Sequence, residues 1–278
     1  MLPSGSGSGS DSDSRARTAS PASPPRALSF DRAAAQYAAA RPGYPPALFD
    51  TVEELAGRPL RGARTIDVGA GTGISTRLLH DRGARVTAVE PGSGMAEELH
   101  RALPYVPLVR GDGNRLPIAT ASADLVTYAQ SWHWTDRSRA AAEALRVLRP
   151  GGALALWWNV CDHSVPWIAE QDARLRRFLG ADEGAHGSPV HSRDLPSGLG
   201  FVHRTVPWTR RVSLGTHLAN LASHSAFLVL GEEPTHRFLT QERDRLAELF
   251  PDGTVEESYV VDLSVAIRPG STPAPPRS

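Results

Sequence analysis

The chain has 278 residues, 40% of them hydrophobic and 22% charged, enough for one large domain with a sizeable core. Thirty basic residues balance thirty acidic ones, so no net field draws the chain to nucleic acid or an anionic membrane. A single cysteine, Cys161, excludes an intrachain disulfide and a cysteine zinc cage, and reads as a small packing residue.

Every basic residue is arginine, which points to a GC-rich bacterial genome. The longest apolar run, "ALALWWNV", is far too short to span a bilayer. No signal-peptide apolar segment follows Met1, so a cytoplasmic location is the expectation.

Residues 1–27 are Ser, Gly and Pro with scattered charge and read as disordered, as does the tail over 269–278. A helical cap is expected over 28–60. It comprises the helix-prone "DRAAAQYAAA" and the amphipathic "PPALFDTVEELAG", opened by proline and closed by glycine. Strands and helices then alternate. "RTIDVGA", "RVTAVE", "VPLVRGD", "ADLVTYAQ" and "ALALWWNV" read as strands. "ISTRLLHDRG", "SGMAEELHRAL" and "RSRAAAEALRVLR" read as helices, the last stopped by "PGG". Apolar strands alternating with helices predict an α/β fold, a mainly parallel sheet covered on both faces.

Beyond Asn159 the rhythm changes. "SVPWIAEQDARLRRFLG" is a predicted helix, "FVHRTVPWTRRVSL" a strand, and Thr216 to Phe250 helical with a break around "GEEP". "TVEESYVVDLSVAIR" is a final strand. The domain is expected over 61–268, with helical substrate-lid insertions at about 161–200 and 213–250.

"IDVGAGTGIST" places Gly69, Gly71 and Gly73 between the first strand and the first helix of this series. Such a turn needs residues without Cβ, either for tight dihedrals alone or for close approach of a ligand. The spacing is G-x-G-x-G rather than the dinucleotide G-x-G-x-x-G. Asp67 precedes the glycines, and the second strand ends at Glu90, where a carboxylate can accept two hydrogen bonds from a ribose diol.

This combination resembles the class I S-adenosylmethionine (SAM)-dependent methyltransferases. "VRGDGNRLPI", "ADLVTYAQSWHW" and "EALRVLRPGGALALWW" resemble later segments of that family in the expected order, covering about residues 62–160. The resemblance implies a Rossmann-like fold with a seven-stranded sheet and a helical lid. It implies SAM as cofactor and S-adenosylhomocysteine as product. Cofactor contacts are then expected from Asp67, Gly69, Ala70, Gly71 and Gly73, and from Glu90, Pro91 and Met95. Further contacts are expected from Asp112 and Gly113 at the adenine, and from Ala129 and Gln130 at the methionine part. Gly113-Asn114 stands where Ala-Glu is commoner in the family.

Upstream, "FDRAAAQYAAARPGYPPALFDTV" resembles the cap of small-molecule methyltransferases of the trans-aconitate and ubiquinone-biosynthesis types. That resemblance implies that Tyr37 and Arg41 face the SAM carboxylate, a guanidinium being suited to a carboxylate. A helix-ending turn would read the same.

Ligands of open α/β sheets sit beyond the carboxyl ends of the strands. Ser131-Trp132-His133-Trp134 emerge there, which makes His133 the candidate general base or substrate-orienting group. Trp132 and Trp134 are candidate pocket walls, and Trp167 a candidate substrate contact. The ten histidines show no HExxH or paired helical spacing, so no metal is expected.

A methyltransferase acting on a small molecule in bacterial specialised metabolism is the leading expectation, as a monomer or homodimer without nucleic-acid or membrane partners. The rival is a SAM-binding protein that transfers no methyl group, either a cyclase or rearrangement catalyst or a binding module.

Overall fold

A computed structural model describes residues 40–180, 195–196, 198–224, 227 and 230–270. Helix α1 (Pro46–Ala56) starts with proline in its first turn and ends at Gly57, whose left-handed φ of 62° closes it as the sequence predicts. Then follow β1 (Arg64–Val68), α2 (Ile74–Asp81), β2 (Arg85–Glu90), α3 (Ser93–Ala102), β3 (Leu108–Arg110) and β4 (Ala123–Ala129). A single 3₁₀ turn, Trp132–Trp134, leads into α4 (Arg137–Val147) and β5 (Leu148–Cys161). The chain continues through α5 (Pro166–Leu179), β6 (Val202–Ser213), α6 (Leu214–Ala222), α7 (Glu232–Leu249) and β7 (Thr254–Ile267).

The seven strands form one sheet in the order β3-β2-β1-β4-β5-β7-β6. The pairs from β3 to β5 are parallel, and β7 runs antiparallel to both β5 and β6. This is the Rossmann-like arrangement expected. Strand alternation divides the core in two. Ala153, Ala155 and Trp157 of β5 face α1 with Leu48, Phe49 and Val52. Leu154, Leu156 and Trp158 face α4 with Ala140, Ala144 and Val147.

One boundary differs from the sequence reading. Helix α4 ends at Val147, before "PGG", because Leu148 already pairs with Ala123 of β4. The break expected around "GEEP" falls at Gly231, between helical Leu230 and α7: Gly231 is the N-cap, and Glu232 and Glu233 lie in the first turn, where acids favour a helix N-terminus. The "VPLVRGD" strand is short, with only Leu108–Arg110 paired.

The carboxyl ends of β1, β2, β4 and β5 share one edge of the sheet. Cys161 at the end of β5 lies opposite Tyr259 of β7, so the first half of β7 reaches the same edge. Of the described helices none is long and apolar enough to cross a membrane.

Candidate active site

The three glycines after β1 all take positive φ, at 66°, 57° and 88° for Gly69, Gly71 and Gly73, but for different reasons. A Cβ on Gly69 would lie 2.5 Å from the Ser131 Cβ, so this glycine lets the β1 and β4 strand ends close together. A Cβ on Gly73 would meet Leu99 and Leu103 at 3.0 Å, so this one seats α2 against α3. A Cβ on Gly71 would meet nothing within 4 Å. Gly71 alone presents bare backbone to open space, as a ligand cradle requires.

Glu90 sits behind that cradle, 6% exposed. Its Oε2 accepts the Gly71 N–H at 2.8 Å and its Oε1 accepts the Gly92 N–H at 2.8 Å. One side chain thus joins the β1–α2 turn to the β2–α3 turn. Gly69 and Ala70 also donate their N–H groups to the Val89 carbonyl, at 2.8 and 3.2 Å. Pro91 follows Glu90 in the same turn, and Met95 lies in α3, 5% exposed.

The hydroxyls of Thr72 and Ser75 are buried without a hydrogen-bond partner, and Gly73 provides no side-chain cap for α2. Two orphaned hydroxyls beside an uncapped helix N-terminus make an electropositive, donor-rich spot.

Asp67 corrects one expectation. Strand alternation turns it under α2, where it is wholly buried. It accepts from Thr76 Oγ1 at 2.7 Å and from Thr127 Oγ1 at 2.8 Å. Burial lifts its carboxyl to about 6, against the lowering effect of the two hydroxyls. Asp67 is enclosed, so it supports the turn by fixing α2 to β1 and β4 instead of touching a ligand.

Between β3 and β4, Asp112 is exposed and its Oδ1 accepts the Asn114 N–H at 2.5 Å. Asn114 Oδ1 in turn accepts the Asp136 N–H at 2.7 Å, tying this loop to the N-cap of α4. Gly113 is buried, and a Cβ there would come within 3.0 to 3.2 Å of Thr135, Tyr128 and Val68.

At the end of β4, Ala129 pairs with Trp157, and Gln130 takes a left-handed φ of 56° while donating its N–H to the Trp157 carbonyl at 2.9 Å. A non-glycine residue held there marks local strain at a strand end. Ser131 Oγ donates to the Val68 carbonyl at 2.5 Å and locks the β4 exit to the β1 exit.

The 3₁₀ turn then separates the aromatic residues. Trp132 is wholly buried, edge-on to Tyr128 with centroids 4.8 Å apart. It is a core residue, not the pocket wall expected, because three residues per turn send one side chain inward and its two successors out. His133 and Trp134 are exposed, with ring centroids 4.7 Å apart. The Trp158 indole N–H donates to His133 Nδ1 at 3.3 Å.

Above β5, β6 and β7, the helices after Asn159 form a polar roof. Glu257 Oε1 pairs with His217 Nδ1 at 2.7 Å, and its Oε2 accepts from Arg210 at 2.5 Å and from the Tyr259 hydroxyl at 2.8 Å. Burial raises the Glu257 carboxyl, but its hydrogen bonds to His217 and Arg210 pull it down to about 2. Gln171 links His217 Nε2 to Glu242, which Arg174 also holds. Trp167 packs edge-on to His217 and Phe250 within this roof.

The segment before α1 is strapped to the roof. Arg210 donates to the Ala40 carbonyl at 3.2 Å, Asn159 to the Gly43 carbonyl at 3.5 Å, and Arg41 to the Ser223 carbonyl at 3.3 Å. Arg41 thus stands at the C-terminus of α6. Tyr37 lies outside the described residues. Among the described residues no three His, Cys, Asp or Glu side chains are grouped to hold a metal.

Residues 66–156 match a family model described as a methyltransferase domain. The chain is 37% identical over 222 residues to an uncharacterized methyltransferase of Mycobacterium bovis, covering 79% of this chain and 86% of that protein. The chain belongs to the class I SAM-dependent methyltransferase family. A demethylmenaquinone methyltransferase of Beutenbergia cavernae is 41% identical over 132 residues, 46% of this chain and 52% of its own. A solved structure from Anaeromyxobacter dehalogenans, provisionally assigned as a type II methyltransferase, superposes with TM-score 0.65 at 26% identity. It covers 83% of this chain and 99% of its own.

The residues of this methyltransferase fit SAM. Gly71 leaves room for a ligand against the backbone, and the orphaned Thr72 and Ser75 hydroxyls and free α2 N-terminus suit a carboxylate. Glu90, held in place by two amides at the end of β2, is a carboxylate, the group suited to accept from a ribose diol. Thr72, Ser75 and Trp158 escaped the sequence reading, and Ser131 and Asn114 were noted there without the bonds they make. Each acts through a partner distant in sequence or through burial, and neither leaves a spacing signal.

Proposed function

We propose that this protein transfers a methyl group from SAM to a small-molecule acceptor. The observation that carries the reading is the Glu90–Gly71 pairing at the carboxyl edge, with Gly71 open to the space in front of it. SAM supplies an electrophilic methyl group on a sulfonium. The protein's task is alignment and exclusion of water, since charge is neutralised as the methyl moves.

Glu90 holds the ribose and the Gly69–Gly73 turn lies along the cofactor. Asp112 and Gly113 flank the adenine. Ala129 and Gln130 border the methionine part by their backbone, and Arg41 and Tyr37 are its carboxylate contacts, as the family resemblance implies. His133 and Trp134 form the exposed wall beyond β4 and face the acceptor.

A net charge of zero and the lack of interleaved basic and aromatic residues in the sequence favour a small acceptor over nucleic acid. Arginine-only basic composition supports a bacterial source, and specialised metabolism is the setting proposed. Incubation with methyl-labelled SAM and a set of small acids, phenols, amines and thiols tests the reading. Release of S-adenosylhomocysteine with labelled product is the expected result; SAM binding without release would favour a non-transferring SAM protein.

A further inference from the structure

The polar roof closes through a chain of hydrogen bonds whose direction can be read from both ends. At one end Arg174 donates to both oxygens of Glu242, at 2.7 and 2.9 Å, and Arg245 adds a third donor at 2.9 Å. Burial raises the Glu242 carboxyl, but the Arg174 and Gln171 hydrogen bonds override this and hold it below its usual range. An ionised carboxylate only accepts, so Gln171, 3.2 Å away, turns its amide NH₂ toward Glu242. The Gln171 carbonyl oxygen then faces His217 Nε2 at 3.1 Å. At the other end Arg210 and the Tyr259 hydroxyl both donate to Glu257, whose Oε1 lies 2.7 Å from His217 Nδ1. Glu257 is ionised as well, held at about 2. Each ring nitrogen of His217 thus meets an oxygen with no hydrogen to give. A neutral imidazole carries one N–H, and two are needed.

We propose that His217 stands in the roof as an imidazolium and that its Nε2 proton is a pH-sensitive latch between α6 and α5. The two ring protons are not equal. The one on Nδ1 lies against a carboxylate and the one on Nε2 against a neutral amide oxygen, so Nε2 gives up its proton first. Its lone pair then faces the Gln171 oxygen, and two acceptors meet. Gln171 cannot relieve this by turning its amide over, because its oxygen would then face the Glu242 carboxylate. The latch exists only with the proton on, so its contribution is full in acid and lost as pH rises.

Groups reach the buried His217 from each element around it. Glu257 comes from β7 with Tyr259 behind it, and Arg210 from β6. Gln171 comes from α5, with Glu242 of α7, Arg174 and Arg245 beyond it. Trp167 of α5 covers the ring edge-on, 5.6 Å between centroids. On the turn after α6, His224 is pushed down to about 3, first by burial and then by Arg41 and His217, against Glu257, so it stays neutral beside the latch. The apolar packing of Leu221 and Phe238 with Leu175 and Phe178 does not depend on the proton, so the roof loosens at its polar end and does not unfold. Arg210, which shares Glu257 with His217, also donates to the Ala40 carbonyl, so the same network reaches the strap before α1. The latch is a property of the roof and is independent of the methyl-transfer reading.

The test is nitrogen-15 NMR of histidine-labelled wild-type protein at pH 5.5 and pH 9.5, with His217 assigned by the His217→Gln spectrum. If that variant does not fold, the through-space contact to the Trp167 ring assigns it. The expected ring is protonated on both nitrogens at pH 5.5 and on Nδ1 alone at pH 9.5. A neutral ring at pH 5.5, a ring unchanged at pH 9.5, or a proton left on Nε2 in place of Nδ1 overturns the proposal.

A second arm is a double-mutant cycle of His217→Phe and Gln171→Leu, read by urea denaturation at the same two pH values. The coupling should favour the wild-type pair by at least about threefold in the folding constant at pH 5.5, the worth of one hydrogen bond, and be absent or reversed at pH 9.5. The cycle cancels the titration of Asp67, which all four proteins share. Equal coupling at the two pH values overturns the latch. If His217→Phe does not fold, the wild-type spectra still decide.

Discussion

Glu90 and Gly71 are joined across the mouth of the sheet: the carboxylate at the end of β2 accepts the backbone N–H of the turn after β1 at 2.8 Å. A second amide, of Gly92, fixes the other oxygen at 2.8 Å. The side chain expected to meet the ribose is thereby oriented before any ligand arrives. Such preorganisation lowers the ordering cost of binding.

Gly69 and Gly71 should respond differently to the same substitution. Gly69→Ala drives a methyl group to 2.5 Å from the Ser131 Cβ and should cost about 2–3 kcal/mol of stability. Gly71→Ala meets no protein atom within 4 Å and should cost about 1 kcal/mol, the backbone term alone. Its larger effect should be on SAM, with a dissociation constant raised at least roughly tenfold by a methyl group in the cradle. Urea denaturation and calorimetry on the two variants separate these outcomes.

Asp67 should make stability fall as pH rises through the mildly acidic range. Its folded carboxyl is raised from 3.8 to about 6 by burial, so between those values the folded state holds more proton than the unfolded one. Ionising it there costs up to about 3 kcal/mol. Urea denaturation from pH 4 to pH 7 should show Asp67→Asn losing less stability than wild type across that window. Parallel curves would mean that Asp67 carries no such cost.

Glu257 has the opposite sign. Burial raises its carboxyl, but His217 and Arg210 override this and hold it at about 2, below the usual 4.5. Its stabilisation is present above 4.5 and lost as pH falls from there toward 2. Glu257→Gln leaves Arg210 and His217 facing a neutral amide and should cost about 3 kcal/mol at neutral pH. The difference from wild type should shrink below pH 4.5, as read by thermal unfolding at a series of pH values.

The sheet was legible because its strands carry their pattern locally. "RTIDV" into glycines and "RVTAVE" into Pro91 already announce strands ending at a ligand edge. Gly71 and Glu90 were legible as ligand positions for the same reason, but the hydrogen bond between them was not, because it joins two neighbouring strand ends only after folding. Trp132 was not, because which of three consecutive aromatic or imidazole residues turns inward depends on a 3₁₀ turn with no periodic signal of its own. Asp67 was misread because an acid on a strand looks the same whether it faces a ligand or Thr76 and Thr127. The Glu257 roof was invisible because its partners Arg210, His217 and Gln171 lie 40 or more residues away along the chain, meeting only through tertiary packing.

Calorimetric titration of SAM into wild-type protein and into Glu90→Ala tests the central claim most directly. The account predicts saturable binding to wild type and a dissociation constant at least roughly tenfold higher for the variant, as the ribose contact and the Gly71 anchor are lost together. Equal affinity in the two proteins, or no binding to wild type, would contradict it.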